Sequence, residues 1–218
     1  MMDLEEYVCF RAVCCALFFG FFRVSEVLGD ERRGIKPMRR SQVTRVGDSY
    51  HLRLLRSKCS DQPTVVKISA QPSKHICPVY ALERFMRLSS CSKGALFKDS
   101  SSRPLTTQRF RRQLSSVLQA MGKPPSRYPP HSFRIGAATY AAAMGLSDAE
   151  IRQLGRWRSS AFLRYVRDFR TLSLSTAPRP AWVKSTRSSP GSGARLLRVG
   201  GSSPSQVPNM SVLLIPTS

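Results

Sequence analysis

PPHSFRIGAATYAAAMGLSDAEIRQLGRWRSSAFLRY, residues 129–165, is the stretch on which the fold turns. Its double proline ends a loop and favours a helix starting near His131, because the fixed φ of proline suits a first turn. That helix continues through the small residues GAATYAAAM, which let a neighbouring element approach closely, and stops at Gly145. Ser147 and Glu150 form a capping box for the next helix, whose apolar residues are Ile151 and Leu154. Residues 159–168 read as a last short amphipathic helix carrying Tyr165.

Upstream, LEEYVCFRAVCCALFFGFF (4–22) reads as a largely buried helix ending near Gly20, and RVSEVLG (23–29) as a short helical stretch closed by Gly29. The periodicity then changes. In residues 41–69, Tyr50, Leu52 and Leu54 alternate with polar residues, GDS marks one turn, and SKCSDQP marks another before TVVKI. A three-stranded antiparallel meander is the economical reading. Helical patterns return in CPVYALERFMRL (77–88) and in TTQRFRRQLSSVLQAM (106–121), closed by Gly122. Helices surrounding one small sheet make the fold class α+β, mainly helical, with no internal repeat.

The charge narrows the partners. Thirty-five Lys and Arg against thirteen Asp and Glu leave +22, a field that favours a polyanion because neutralising phosphates releases counterions. Nucleic acid is the first candidate; an anionic membrane surface is second, but no continuous basic amphipathic helix accompanies the charge. The N-terminal MMDLEEY is acidic where a signal peptide is basic, and the apolar run Val13 to Phe22 is too short to span a bilayer, so the expected location is intracellular. Six cysteines (Cys9, Cys14, Cys15, Cys59, Cys77, Cys91) form no CxxC pair, and three histidines offer no zinc spacing, which points to reduced, mostly buried thiols. From Thr171 onward Ser, Pro and Gly make up 21 of 48 residues, with five basic and no acidic ones, the composition of a disordered tail. Residues 1–170 therefore carry +17 by themselves.

Several residues could do chemistry. His131 and Arg134, three apart, share a face in the first turn of their helix, where unpaired backbone N–H groups and the dipole favour an anion; a solvated basic turn is the plainer reading. Arg23 emerges from an apolar helix with Glu26 three residues on, either as a structural ion pair or as a guanidinium oriented for bidentate phosphate contact. Lys58 sits in the turn between two strands, where it is either a solvated lysine or a mobile proton donor reaching a groove. A tyrosine phenol, with a reference pKa of about 10, is a poor nucleophile unless cationic donors surround the phosphorus it attacks. Two arginines, a histidine and an indole N–H would stabilise the charge of a pentacoordinate transition state, with no metal required.

In their order along the chain, RVSEV, a lysine on a β-hairpin, HSFR, GRW and a tyrosine on the last helix resemble the catalytic domain of the tyrosine recombinases, the phage-integrase family. HSFRIGAAT followed by LGRWRSSAFLRYVR resembles the branch carried by DIRS-like retrotransposons. The resemblance covers roughly residues 7–170. It implies that Arg23 and Arg134 clamp the scissile phosphate, that His131 contacts it and assists proton transfer, and that Lys58 protonates the departing 5′ hydroxyl. It further implies that Trp157 buttresses the nucleophile, that Tyr165 attacks to give a 3′-phosphotyrosyl intermediate without ATP, metal or cofactor, and that Glu26 supports Arg23. Arg109, Arg111, Arg112 and Arg156 become DNA-facing residues. The partners implied are double-stranded DNA and further copies of the chain assembled on it, in the nucleus.

Two departures accompany the resemblance. In many bacterial members the His or Trp lies nine residues before the tyrosine, which here is Arg156, whereas the GRW wording points to Trp157. Members also carry an N-terminal helical domain that closes a clamp around DNA, while this chain starts almost at the catalytic helix, so the expectation is a catalytic domain over 1–170 with the clamp missing. The alternatives are a mobile-element remnant that binds DNA or protein without turnover, and a basic structural protein such as a ribosomal component, which leaves the ordered constellation unexplained.

Overall fold

A computed structural model of the chain describes residues 2–55, 62–89, 93–164 and 166. Helix α1, Leu4–Phe19, begins where the Asp3 carboxylate accepts the Glu6 N–H at 2.7 Å, with Glu5 and Glu6 placed favourably on the dipole. Every residue from Val8 to Phe19 is buried, so this is a central helix covered on all sides rather than an amphipathic surface one. Its one buried charge, Arg11, donates to the carbonyls of Lys74 and His75 at 2.6 and 2.9 Å and lies over the Tyr80 ring. At Gly20 a Cβ would overlap the Phe22 ring, so the turn after α1 requires glycine. Phe21 follows with φ 49, and α2, Val24–Leu28, closes at Gly29 with φ 77.

Strands β1 (Val43–Val46), β2 (Ser49–Leu54) and β3 (Thr64–Ser69) form the expected antiparallel meander in the order β1-β2-β3. Tyr50 pairs Ile68 and Leu52 pairs Val66, which sends Tyr50, Leu52, Leu54 and Ile68 into the core. Helix α3, Pro78–Leu88, packs along α1 with Cys77 as its N-cap. Helix α4, Thr107–Ala120, is capped by Thr106 and buries Phe110, Leu114 and Leu118; Phe110 bridges Phe10 of α1 and Phe133 at ring separations of 5.5 and 6.3 Å. The free thiols of Cys9, Cys14, Cys15 and Cys77 are buried, and burial pushes Cys9 and Cys15 up to about 12. Such thiols stay protonated and inert.

Helix α5, Ser132–Ala143, packs against α1, with Ala137, Ala138 and Ala141 fully buried. The alanines serve close approach, as their size predicts. Helix α6, Asp148–Gly155, starts on the expected capping box: Glu150 accepts the Ser147 N–H at 2.8 Å and Ser147 Oγ accepts the Glu150 N–H. Of the helix expected over 159–168, the part Ser160–Arg164 is a 3-10 stretch, and residues 165, 167 and 168 lie outside the described residues. The buried Phe162 of that stretch is held by Trp157, 6.0 Å away ring to ring. The segment 171–218 lies outside the described residues. No described helix is long and apolar enough to cross a membrane.

Ala138→Leu inserts three heavy atoms into this close-packed α5 surface, and the expected destabilisation is about 1–3 kcal/mol. Urea unfolding followed by circular dichroism measures it.

Candidate functional site

Three chain segments meet at the carboxyl end of α1: the turn 20–26, the start of α5, and the end of α6. Arg134 is the deepest member. Its side chain is among the largest fully buried ones, at 1% exposure. Its guanidinium donates from Nη1 to the Phe21 carbonyl and from Nη2 to the Gly155 carbonyl, and lies 4.3 Å from the centre of the Trp157 ring. Trp157 is 8% exposed, is set edge-on against Phe21, and stacks over Gly155 so closely that a Cβ there would fall within the indole.

Arg23 is nearer the surface, its side chain 22% exposed. It stands at the N-cap of α2 rather than inside the helix. Glu26 accepts both its backbone N–H and its Nη1, each at 2.9 Å. One carboxylate thus caps the helix and holds the guanidinium in a single orientation, the preorganisation that a planar anion contact needs.

His131, the N-cap of α5, is exposed at the surface. Desolvation of its ring by the surrounding protein, followed by the nearby Arg134 and Arg23 charges, holds its pKa below the ordinary histidine value. Two cations that repel its protonated form are themselves a sign of the convergence. The first-turn amides of α5 are less open to an anion than the sequence suggests: the Ser132 N–H donates to the Pro129 carbonyl at 2.8 Å and the Arg134 N–H to the His131 carbonyl at 3.1 Å. An anion would therefore meet side chains here more than backbone.

The structure brings Arg23, Glu26, His131, Arg134, Arg156 and Trp157 together. Lys58 and Tyr165 lie outside the described residues. Two arginines expected to face DNA are turned to other partners. Arg109 is held by Glu6 and, at 2.7 Å, by Asp99, because it leaves α4 on the side facing α1. Arg156 points inward to the α1–α2 turn. Arg111 and Arg112 are exposed on α4. Phe21 is the residue sequence reading missed, since its role lies in a carbonyl that accepts from both Arg134 and Arg156. The available signal was the glycine ending an apolar helix with no basic residue in its last turn.

No protein-family model and no curated protein sequence matches the chain. Among solved structures, the XerH site-specific recombinase bound to difH substrate in a pre-cleavage complex is 15% identical, with a TM-score of 0.58 over 76% of this chain and 44% of that one. Its post-cleavage complex with palindromic difH is 14% identical, with a TM-score of 0.57 over 76% and 43%. The Tn1549 transposon integrase in complex with circular intermediate DNA is 16% identical, with a TM-score of 0.51 over 76% and 55%. The chain thus spans about half the length of these proteins and has the fold of a recombinase catalytic domain.

Two outcomes follow from the geometry. In a pH titration by NMR, His131 is expected to titrate below 6.5, and Arg134→Gln to raise that midpoint. Because the fold favours the neutral ring, the stability linked to His131 is intact above the unfolded pKa and is lost as pH falls from there through the folded one. Gly155→Ala is expected to displace the indole, red-shifting Trp157 fluorescence in a Trp182→Phe background.

Proposed function

We propose that the protein breaks and rejoins DNA strands through a 3′-phosphotyrosyl intermediate, as a tyrosine recombinase of the branch carried by DIRS-like retrotransposons. The observation that carries this reading is the convergence of Arg23, His131, Arg134 and Trp157 from three separate segments, in a chain of net charge +22. The likeness in fold to recombinases described in complex with DNA supports it.

In this mechanism the Tyr165 oxygen forms a bond to the scissile phosphorus and the bond from phosphorus to the 5′ oxygen breaks. The phenolic proton passes to His131, whose neutral ring is favoured by desolvation first and by the neighbouring Arg134 and Arg23 charges second. Lys58 gives its proton to the departing 5′ oxygen. Arg23 carries positive charge to the phosphoryl oxygens, and Arg134 with Trp157 supports the wall behind them. One phosphoester is exchanged for another, so a 5′ hydroxyl from a second strand reverses the step without ATP. Residues 1–170 form the catalytic domain, and copies of the chain assemble on duplex DNA in the nucleus.

One observation favours a second reading. Arg134 has both terminal nitrogens on backbone carbonyls beneath Trp157, which suits a structural guanidinium and a mobile-element remnant that binds DNA or protein without turnover.

A nicked suicide duplex separates the two. Incubation is expected to give a covalent protein–DNA adduct on denaturing gels, absent in Tyr165→Phe and reduced about 10²–10³-fold in Arg23→Ala. Duplex binding with no adduct rejects the cleavage mechanism and leaves the remnant.

A further inference from the structure

Arg156 was expected among the DNA-facing arginines, yet its side chain is only 13% exposed and runs toward the interior. It ends α6 in the left-handed region, φ 56 and ψ 43, a conformation usually left to glycine or asparagine at this position. Holding an arginine there aims its guanidinium back across the turn after α1. Nη1 donates to the Gly20 carbonyl at 3.0 Å and to the Leu154 carbonyl at 3.2 Å. Nη2 donates to the Phe21 carbonyl at 3.0 Å and to Glu26 Oε2 at 3.3 Å. The Phe22 ring supports the guanidinium plane from 5.0 Å.

Glu26 therefore stands between two guanidiniums. Its Oε1 takes Arg23 Nη1, and its Oε2 takes the Arg23 backbone N–H as well as Arg156. The carboxylate side chain is 5% exposed. Moving Arg156 out to a phosphate would leave this buried carboxylate with one cation fewer, an uncompensated desolvation that opposes the movement. We propose that Arg156 is a positioning residue: through Glu26 and the carbonyls of Gly20 and Phe21 it fixes the orientation in which Arg23 meets the scissile phosphate. The inference rests on the strand-cleavage reading above. It gives the α6 terminus a second task beside holding Trp157: tying the turn that carries Arg23 to the segment that leads to Tyr165.

The test is a double-mutant cycle with Arg156→Gly, whose backbone suits the left-handed conformation, and Glu26→Gln. Single-turnover adduct formation on the nicked duplex is expected to slow about 10- to 100-fold in each single variant, and the double variant to be no slower than the worse single one. Arg156→Lys, which keeps the charge, recovers part of the rate. In a Tyr165→Phe background, Arg156→Gly leaves duplex affinity and its salt dependence unchanged, whereas Arg112→Gln lowers the salt slope by about one. Solvent exchange of the Arg23 backbone N–H, which Glu26 Oε2 holds beside Arg156, accelerates about tenfold in Arg156→Gly as that contact loosens, read by NMR. Multiplicative losses in the cycle, a reduced salt slope, or an unchanged Arg23 exchange rate each overturn the proposal. A wild type that binds duplex and forms no adduct rejects strand cleavage alone, and the Arg23 exchange rate then decides whether Arg156 orients Arg23.

Discussion

The Phe21 carbonyl, in the turn just past the buried helix α1, accepts from two guanidiniums that arrive from different parts of the chain. Each side of this contact needs the other. The last turn of α1 is already closed by backbone donors: the Ala16 carbonyl accepts from the Gly20 N–H, Leu17 from the Phe22 N–H and Phe18 from the Phe21 N–H. The carbonyls of Gly20 and Phe21 lie beyond the helix, in a buried turn, and need donors from elsewhere in the chain. A fully buried guanidinium such as Arg134 is costly unless its donors are satisfied. Placed against each other, the turn carbonyls of Gly20 and Phe21 and the guanidiniums of Arg134 and Arg156 supply partners to one another at one point, and Gly20 lets the chain turn tightly enough to present those carbonyls.

What surrounds that point follows from keeping it closed. The alanines of α5 bring Arg134 up to α1, and Trp157 covers the guanidinium from the other side. Gly155 is needed because the indole occupies the space of a side chain. Arg23 is the outer member, attached to the buried ones through Glu26. The gradient from Arg134 to Arg23 to His131 leads from core to surface, so the site is anchored inside and presents its cations outside.

The excess of positive charge is not spent uniformly. Arg11 is held by loop carbonyls, Arg109 by Glu6 and Asp99, and Arg156 by the α1–α2 turn. Arg111 and Arg112 keep their charge in solvent, where it can act at a distance on a polyanion. A basic composition therefore states the sign of the partner more reliably than it identifies the arginines that touch it.

Much of the fold was legible because it depends on local rules. Alternating Tyr50, Leu52 and Leu54, the Ser147 and Glu150 capping box, and the glycines at 20, 29, 122 and 145 mark elements through near-neighbour interactions. The site was legible only as a set of residue types: HSFR, RVSEV and GRW named the participants without their directions. The inward turn of Arg156, the capture of Arg109 and the 3-10 form of Ser160–Arg164 depend on atoms far away in sequence. The amino-acid sequence by itself determined the helices, the meander, the sign of the charge and the candidate donors, since periodicity and caps act within a few residues. Only the tertiary structure decided which guanidiniums are buried on carbonyls and which remain outside, because a long arginine side chain goes wherever packing leaves an acceptor within its reach.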